Sequence, residues 1–244
     1  MQIINAFWEK RNLGLNVAEI TIEGFDENIS EIISTIDKND YIVVKVPNSK
    51  ISLIHELENY GFRFLETQFE VCHPIPKRLS IDPYIRRIID RVKYQQIRDK
   101  EGLEKVLNKI DDIMFDTDRF YLDPAFDNSV SSLRYKNWIR YEFYNKSVFL
   151  ASLIVEGDEI GFFLMTKIDD NKYSSTLAGI FSQFKNSGLG IAAIGKPIFW
   201  AYDNKIDKIL SRISSNNILS LKVHLELGYK INNVLYVFRK LKFN

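Results

Sequence analysis

Hydrophobic residues in the first third of the chain follow strand-like and helix-like periods. Residues 18–22 alternate between apolar and polar positions, and residues 41–46 form a β-branched run that ends at Pro47, so both segments predict strands. Apolar residues at helical spacing predict a helix over residues 52–60, which Gly61 ends. Residues 62–71 predict a further strand. The first third is therefore expected to contain a strand–helix–strand unit.

The longer remainder of the chain continues with the same two periods. Residues 93–98 predict a strand, and apolar residues at helical spacing from Leu103 to Met114 predict a helix with Asp99 as its cap. Next comes a predicted helix at 129–144, with Leu133, Trp138 and Tyr141 among its buried candidates. Three strands follow, at 148–155, 160–166 and 172–181. The last predicted elements are a glycine-rich turn, an apolar helix to about residue 202, a strand at 207–213, a helix at 218–227 and a strand at 229–239.

The order of these elements predicts a mixed α/β fold with one crossover between parallel strands. Two prolines within three positions, in the run from Cys72 to Lys77, oppose both a helix and a central strand. We therefore place a domain boundary at residue 77. The expected organisation is a small N-terminal α/β domain at residues 1–77 and a larger domain at residues 78–244.

The two parts of the chain share a repeat at a constant offset in residue number. Gly61 corresponds to Gly228 and Phe69 to Tyr236, without a gap between the two matches. Both segments have the order strand, polar turn, helix, glycine followed by an aromatic residue, strand. One interpretation is that any two strand–helix–strand units look alike. The other is that the first domain is a degenerate copy of part of the second, without its glycine loop, and helps to bind substrate rather than perform chemistry.

Composition and charge exclude several classes of protein. The 244 residues are 45% hydrophobic and 27% charged, which excludes a disordered or fibrous protein. Lys and Arg total 33 against 32 Asp and Glu, and this balance argues against nucleic acid as the binding target. No run reaches the roughly 18–20 apolar residues of a membrane span, and the N-terminus lacks the apolar core of a secretory signal. We therefore expect a cytoplasmic protein that has no membrane partner.

Metal chemistry is also not expected from the sequence. Cys72 is the only cysteine, so an intrachain disulfide and a cysteine-based zinc site are both excluded. The three histidines, His55, His73 and His224, lie far apart in the sequence.

The strongest candidate for chemistry is the segment Lys-Asn-Ser-Gly-Leu-Gly-Ile at residues 185–191, between a predicted strand and a predicted helix. Gly188 and Gly190 would let backbone amides approach a phosphate closely, and the helix N-terminus adds partial positive charge. The segment is neither a P-loop, because no Gly-Lys-Ser/Thr follows, nor a Rossmann fingerprint, because a third glycine is missing. A purely structural turn is the alternative.

Two further segments become candidates only in combination with this loop. Asn217 is placed to cap the helix that carries His224, although a lone histidine on a partly apolar helix is usually packed or exposed. Arg119 and Tyr121 precede the helix that carries Trp138, and taken alone they belong to a loop that caps a helix.

Taken together and in this order, the three segments resemble the GNAT N-acetyltransferase superfamily. The shared pattern is a strand, two helices, a three-stranded meander, a phosphate-cradling glycine loop, a helix, a strand and an Asn-led helix that ends in glycine and an aromatic residue. Within the superfamily the chain looks most like the dTDP-fucosamine acetyltransferases, which N-acetylate a nucleotide-linked 4-amino sugar and also carry an N-terminal domain. That likeness rests on Arg119-Phe120, the segment from Tyr135 to Ile139, and Trp200-Ala201-Tyr202, which follows Gly190 in the expected register.

The resemblance implies the GNAT fold, a mixed and mostly antiparallel sheet flanked by helices, with an N-terminal domain that resembles a partial GNAT unit. It implies an enzyme that moves an acetyl group from acetyl-CoA, without a metal, to a primary amine, with a nucleotide-linked amino sugar as the favoured acceptor. The partner is a small-molecule amine, and a homodimer stays open. The implied residues are Phe181, Lys185, Gly188, Leu189, Gly190, Ile191 and Asn217 for the cofactor, Arg119, Tyr121 and Trp138 for the substrate, and His224 for catalysis.

Two other functions stay open beside this one. The acceptor could be another amine, such as a peptide, an amino acid or an aminoglycoside. The chain could also be a binding module that keeps the fold and has lost catalysis. In an active enzyme, a backbone N–H of the strand near residues 178–181 would polarise the thioester carbonyl.

Three residues depart from the family pattern. Lys185 stands where the family carries Gln or Arg, although a lysine can still serve a phosphate as a point charge. Pro197 lies inside the helix that follows the glycine loop, where it would kink the helix or delay its start. His224 replaces the tyrosine that protonates the departing thiolate, so it would be an acid, a base or a structural residue.

Overall fold

A computed structural model describes residues 1–23, 29–36 and 38–242. In these residues the strands are β1 (Gln2–Asn5), β2 (Val17–Thr21), β3 (Tyr41–Pro47), β4 (Arg63–Pro74), β5 (Lys93–Gln96), β6 (Val148–Val155), β7 (Asp158–Asp169), β8 (Lys172–Ile180), β9 (Lys208–Ser214) and β10 (Lys230–Leu241). The helices are α1 (Phe7–Leu13), α2 (Ile29–Ile36), α3 (Ile51–Asn59), α4 (Pro83–Arg91), α5 (Lys100–Asn108), α6 (Arg119–Leu122), α7 (Ser129–Asn145), α8 (Gly190–Asp203) and α9 (Ile218–Glu226). A 3-10 turn covers Ser182–Phe184.

These strands form one sheet in the order β1-β2-β3-β10-β4-β9-β8-β7-β6-β5. The pairs β2–β3 and β8–β9 are parallel and the other neighbours are antiparallel. Helices α1, α5, α6 and α7 pack on one face of the sheet, and α2, α3, α4, α8 and α9 pack on the other. The mixed α/β class predicted from the element order is confirmed.

The repeat found in the sequence is present in the structure. The bounds of β3, α3 and β4 coincide with those of β9, α9 and β10 when they are shifted by the offset that relates Gly61 to Gly228. The strand registers repeat as well, because Pro47 pairs with Leu235 and the equivalent Ser214 pairs with Gln68. The strands β4 and β10 pair with each other around Gln68 and Leu235, which are equivalent positions. The four strands are therefore related by a pseudo-two-fold axis through that pair.

The last strand lies inside the N-terminal part of the sheet. Strand β10 is placed between β3 and β4, and β4 in turn lies between β10 and β9. The two parts of the chain therefore share one continuous sheet. The boundary at residue 77 stays a prediction about organisation along the sequence.

Three segments differ from the sequence-based expectations. Helix α5 ends at Asn108, well before the predicted end at Met114, and the short helix α6 occupies part of a segment expected to be a loop. Helix α4 had not been predicted. Its start carries an ordinary signal, because the Asp82 carboxylate accepts hydrogen bonds from the N–H groups of Tyr84 and Ile85, and Pro83 occupies the first helical position.

Helix α8 begins at Gly190 and runs through Pro197 to Asp203, so the proline does not delay its start. Gly195 serves packing in this helix. A Cβ atom at Gly195 would lie 2.5 Å from Cδ1 of Ile89 on α4. The two helices thus approach closely here, and a larger residue at position 195 would require the Ile89 side chain to move.

Candidate functional site

A gap opens in the sheet between β8 and β9. These parallel strands pair at only three positions, of which the last joins Ser174 to Leu210, and then they diverge. Where they separate, the Ser211 hydroxyl donates a hydrogen bond of 3.2 Å to the carbonyl oxygen of Ser175. Beyond this point the facing edges of both strands border an open cleft.

The first part of the sheet is closed at the equivalent place. Strands β2 and β3 are also parallel, but they pair over five positions, up to Thr21 with Lys45. The counterpart of Lys45 in the repeat is Arg212. Arg212 lies on β9 beyond the point where β8 and β9 diverge. The first unit therefore keeps the strand–helix–strand pattern without the gap, as expected for a degenerate copy.

Strand β8 directs backbone donors into the gap. Its residue Thr176 is an extra residue in the pairing with β7, which forms a bulge. The N–H of Phe181 donates to Ile160 on the β7 side at 2.8 Å. Because successive residues of a strand direct their backbone groups to alternate edges, the N–H groups of Ile180 and Ala178 are directed to the gap. These are donors within the segment from which polarisation of a thioester carbonyl was expected.

The glycine loop closes one end of the gap. Gly188 has a φ of +77°, a left-handed conformation that favours glycine, and α8 begins two residues later at Gly190. The N–H groups in the first turn of a helix have no acceptor within the helix, and the helix dipole adds partial positive charge there. A Cβ atom at Gly190 would have no neighbour within 4 Å. The loop thus offers donors and free space to an anion.

Lys185 links this loop to the segment that precedes α6. Its ammonium group donates to the carbonyl oxygen of Ile113 and lies 3.0 Å from Asp116 Oδ2. The predicted contact of Lys185 with a phosphate stays a prediction, and it requires the lysine to exchange or share its carboxylate partner.

Helix α9 brings Asn217 and His224 to the same cleft. The Asn217 side chain accepts a hydrogen bond of 3.0 Å from the N–H of Ser220, which confirms its capping role. His224 is buried, and its Nδ1 lies 2.8 Å from the carbonyl oxygen of Ser220. A carbonyl oxygen can only accept, so Nδ1 carries the proton and Nε2 of the neutral ring is left as an acceptor.

Burial lowers the pKa of His224 from its ordinary 6.5 to about 4, although the hydrogen bond to Ser220 opposes the shift. The ring packs edge-on against Tyr229, with ring centroids 4.7 Å apart. At neutral pH His224 is therefore uncharged. This state favours a proton acceptor over the acid that a departing thiolate would need.

The buried His224 should make the protein less stable in acid. Between pH 6.5 and about 4 the unfolded chain binds a proton that the folded His224 does not, so the free energy of unfolding falls as the pH decreases through this window. From pH 7 to 4.5 we expect His224 to account for about 2–3 kcal/mol of lost stability. The measurement is urea unfolding of the wild type and of His224→Phe at both pH values.

The variant should lose less stability than the wild type over the same change of pH. His55→Gln, at an exposed position of α3, is the matched control and should behave as the wild type. An equal loss in the wild type and in His224→Phe would contradict the buried neutral state.

A single cleft of about 1790 Å³ joins the gap, the glycine loop and the face of the sheet beneath α1 and α7. Residues from both parts of the chain line it. Among the residues singled out from the sequence, those that line it are Arg119, Trp138, Lys185, Gly188, Gly190, Ile191, Asn217 and His224. Three others lie outside its lining: Tyr121, Phe181 and Leu189.

Two of those three side chains pack into the hydrophobic core. Phe181 is buried, with its ring 6.2 Å from that of Phe162, and Leu189 packs against the cluster beneath α8. Tyr121 lies two residues after Arg119 in α6, about 200° around the helix axis, and so it projects in a different direction. The roles expected of Phe181 and Leu189 belong to backbone N–H groups, which donate instead to the Ile160 carbonyl oxygen at 2.8 Å and to the Ser187 hydroxyl at 3.3 Å. These roles and the substrate role of Tyr121 stay predictions.

Arg119 belongs to a buried network of charges on the floor of the cleft. Its Nη2 lies 2.8 Å from Oε1 of Glu19, whose Oε2 lies 3.0 Å from Nζ of Lys45. Burial alone would raise the pKa of Glu19, but the charges of Lys45, Arg119 and Arg134 outweigh it and hold this pKa well below its usual range. Part of the Arg119 guanidinium is thus already engaged by a carboxylate of β2.

Helix α7 turns a polar side to the cleft. Trp138 donates from its indole nitrogen to Glu142 at 3.2 Å, and the Tyr135 hydroxyl donates to Asp118 at 2.8 Å. The sequence-based expectation that Leu133 and Tyr141 are buried is wrong, because these two side chains are 46% and 37% exposed. The residues of α7 that are buried include Ser131, Ser132, Ile139 and Glu142.

Two polar residues of β4 were missed in the sequence. Glu66 and Gln68 line the cleft from the N-terminal part of the chain. The available signal was the polar character of every second position, Glu66, Gln68 and Glu70, in a strand whose other face carries Phe69 and Val71. That alternation is typical of a strand with one solvated face, and β4 is central in the sheet.

In the described ranges, 1–23, 29–36 and 38–242, no cluster of three or more His, Cys, Asp or Glu side chains is arranged to hold a metal ion. None of the helices in those ranges is long and apolar enough to span a membrane.

Comparisons with known proteins give matches at the level of structure. No protein-family model matches the sequence, and no curated protein matches it. A GCN5-related N-acetyltransferase from Sphaerobacter thermophilus aligns over 83% of this chain and 60% of its own, with a TM-score of 0.56 and 11% identity. The chain thus spans three-fifths of that relative. The chain has the GNAT fold.

Two further structures extend the comparison. A GCN5-related N-acetyltransferase from Kribbella flavida aligns over 92% of this chain and 81% of its own, with a TM-score of 0.55 and 12% identity. A tandem GNAT protein from the clavulanic acid biosynthesis pathway aligns over 93% of this chain and 76% of its own, with a TM-score of 0.54 and 8% identity. The likeness is one of fold. The alignment with a tandem GNAT protein agrees with a partial GNAT unit in the first part of this chain.

Proposed function

We propose that this protein is an acetyl-CoA-dependent N-acetyltransferase that acts on a small primary amine. The observation that carries the proposal is the gap between β8 and β9, which opens next to the glycine loop at the start of α8. The gap occurs in the C-terminal unit of a GNAT fold and is closed in the first unit. Cytoplasmic location is part of the same proposal.

The cofactor residues act through backbone groups in this proposal. The N–H groups of Gly188, Gly190 and Ile191 would bind the pyrophosphate at the positive end of α8. The N–H groups of Ala178 and Ile180, which point into the gap, would donate to the thioester carbonyl oxygen and stabilise the charge that develops there. The amine nitrogen forms the new bond to the carbonyl carbon, the carbon–sulfur bond breaks, and the amine loses a proton while the thiolate gains one.

His224 would take part in proton transfer as an acceptor. Its Nε2 is unprotonated at neutral pH because burial holds the pKa at about 4 and Nδ1 donates to Ser220. A neutral imidazole can receive the proton that the amine releases. In that role it would hand the proton on to the thiolate or to solvent.

A nucleotide-linked amino sugar is the acceptor that we favour within the amines. Trp138 and Tyr135 lie on the cleft wall formed by α7, and planar aromatic side chains stack on bases and sugar faces. The engaged guanidinium of Arg119 weakens the expectation that it binds a nucleotide phosphate through a bidentate contact. The support for a sugar therefore comes mainly from the aromatic wall.

A binding module without catalysis is the second candidate function. It is favoured by His224, because a ring with a pKa of about 4 carries no proton of its own for a thiolate at neutral pH and is a weak acceptor for the proton of an ammonium group. Both candidate functions predict that CoA binds in the gap.

Two measurements on the wild-type protein test these alternatives. Calorimetric titration with CoA should give one site per chain, and release of free thiol from acetyl-CoA should depend on an added amine. The amine panel contains a dTDP-linked amino sugar, a lysine peptide, an aminoglycoside and glucosamine. Binding of CoA without transfer to any amine would support the binding module. Absence of CoA binding would reject both functions.

A further inference from the structure

Some of the cleft-lining residues carry buried polar atoms without a hydrogen-bond partner. In the described part of the chain, six buried side-chain atoms have no partner. Three of them belong to residues that line the cleft: Glu66 Oε2, Gln68 Oε1 and Arg119 Nε. The other three belong to Tyr41, His73 and Tyr229, which lie elsewhere. A buried polar atom without a partner costs free energy, so the three in the cleft need an explanation.

Glu66 differs from the other glutamates of the cleft. Glu9, Glu19, Glu70 and Glu142 each form an ion pair with Arg or Lys at 3.0 Å or less. No such pair joins Glu66 to a cation in the described residues, although its side chain is almost fully buried. Its carboxyl group therefore has no cation at ion-pair distance in the described residues, although the charge of Arg119 acts on it from further away.

The three atoms form a set with a defined polarity. Glu66 and Gln68 are two residues apart on β4, so their side chains lie on the same face of the sheet. That face is the one beneath α1, α6 and α7, because Val237 opposite Glu66 belongs to the core cluster that contains Phe120 of α6. Two acceptors on β4 thus line the same cleft as one donor, Arg119 Nε, on α6.

Burial raises the pKa of Glu66, although the charge of Arg119 and a hydrogen bond from Ser214 oppose the shift. A cation placed next to this carboxylate would stabilise its charged form. The ammonium group of an amine has the charge and the N–H donors for that position.

We propose that Glu66, Gln68 and Arg119 form the recognition subsite for an acceptor that carries a hydroxyl group next to its ammonium group, as amino sugars and amino alcohols do. The ammonium donates to Glu66 Oε2. The neighbouring hydroxyl donates to Gln68 Oε1 and accepts from Arg119 Nε, because a hydroxyl is both donor and acceptor. The proposal rests on the proposed acetyl transfer for its context, and it names the class of acceptor.

Ligand binding by NMR saturation transfer tests the subsite independently of acetyl transfer. The probes are glucosamine, glucose, which lacks the amine, and cyclohexylamine, which lacks the hydroxyls. The wild type should bind glucosamine at least tenfold more tightly than either of the other two, since each lost hydrogen bond leaves a buried partner unpaired. Equal binding of glucosamine and cyclohexylamine would remove Gln68 and Arg119 from the subsite.

Variants of the two β4 residues assign the effect. Glu66→Gln should weaken glucosamine binding about 10- to 100-fold, because a charge-assisted hydrogen bond is lost, and Gln68→Leu should weaken it about tenfold. Glu104→Gln is the matched control. It changes a carboxylate on α5 that pairs with Arg140 outside the lining of the cleft, and it should bind glucosamine as the wild type does.

Stability separates recognition from a structural role. Glu66→Gln removes an unpaired buried charge, so its midpoint of unfolding should equal or exceed that of the wild type while glucosamine binding falls. Unchanged glucosamine binding in Glu66→Gln would overturn the proposal, as would a loss of binding accompanied by a lower midpoint of unfolding. Calorimetry with CoA is run on the same samples. Failure to bind CoA rejects the proposed acetyl transfer but leaves the amine subsite to be judged by the NMR result.

Discussion

Gly190→Asp is expected to weaken CoA binding by about 100-fold or more without unfolding the protein. A Cβ atom at this position has no neighbour within 4 Å, so the side chain fits into open space at the start of α8. The new carboxylate would lie where the pyrophosphate is proposed to bind, and repulsion together with lost volume would oppose the ligand. A 100-fold change corresponds to about 2.7 kcal/mol of binding free energy. Calorimetric titration with CoA measures it.

Gly190→Asp should lose affinity for CoA without losing stability. An acidic residue in the first turn of a helix interacts favourably with the helix dipole, so the variant without ligand should be as stable as the wild type or slightly more stable. Gly190→Asn is the matched neutral control, because its side chain has the shape of Asp without the charge. Its affinity for CoA should lie between those of the wild type and Gly190→Asp. Wild-type affinity in Gly190→Asp would place the pyrophosphate elsewhere.

Arg119→Met should lower the free energy of unfolding by about 3–5 kcal/mol, because its removal leaves a buried carboxylate without one of its two cations. The guanidinium is buried and shares Glu19 with Lys45. Breaking a buried ion pair from one side has this cost because the remaining charge stays desolvated. Urea unfolding at pH 7 provides the measurement.

A second substitution and a surface control identify the cause. Adding Glu19→Gln to Arg119→Met removes the stranded charge and should recover part of the lost stability. Arg91→Met breaks an exposed pair with Glu156, at 3.6 Å, and should change stability little. If Arg119→Met and Arg91→Met lowered the free energy of unfolding equally, the charge network at Glu19 would not be what stabilises the contact between the two parts of the chain.

Glycine positions account for much of what the sequence predicted correctly. Gly61 and Gly228 both have left-handed φ angles, +77° and +91°, at the ends of equivalent helices, so the same backbone requirement recurs in both copies. Gly188 has the same conformation in the loop before α8. These positions depend on local backbone geometry, which a single sequence displays directly.

The acceptor side of the cleft could not be predicted in the same way. Glu66 and Arg119 come together only because β4 lies in the middle of the sheet and α6 crosses above it. The hydrophobic pattern predicted the wrong buried side chains in α7 for the same reason. The inner face of α7 contacts polar side chains of the cleft and buries Ser131 and Glu142. A polar residue that is buried in a cleft has the same sequence pattern as one that faces solvent.

The position of β10 has a consequence for the synthesis of the chain. Strands β3 and β4 leave the ribosome long before residues 230–241, yet in the finished sheet β10 lies between them. Until that strand arrives, both expose unpaired edges, which are sites of association with other chains. The N-terminal part therefore cannot complete its sheet until residues 230–241 have been synthesised. Its folding depends on contacts between distant parts of the sequence, such as Val46 with Tyr236. Such contacts slow folding, so the chain depends on chaperones for longer.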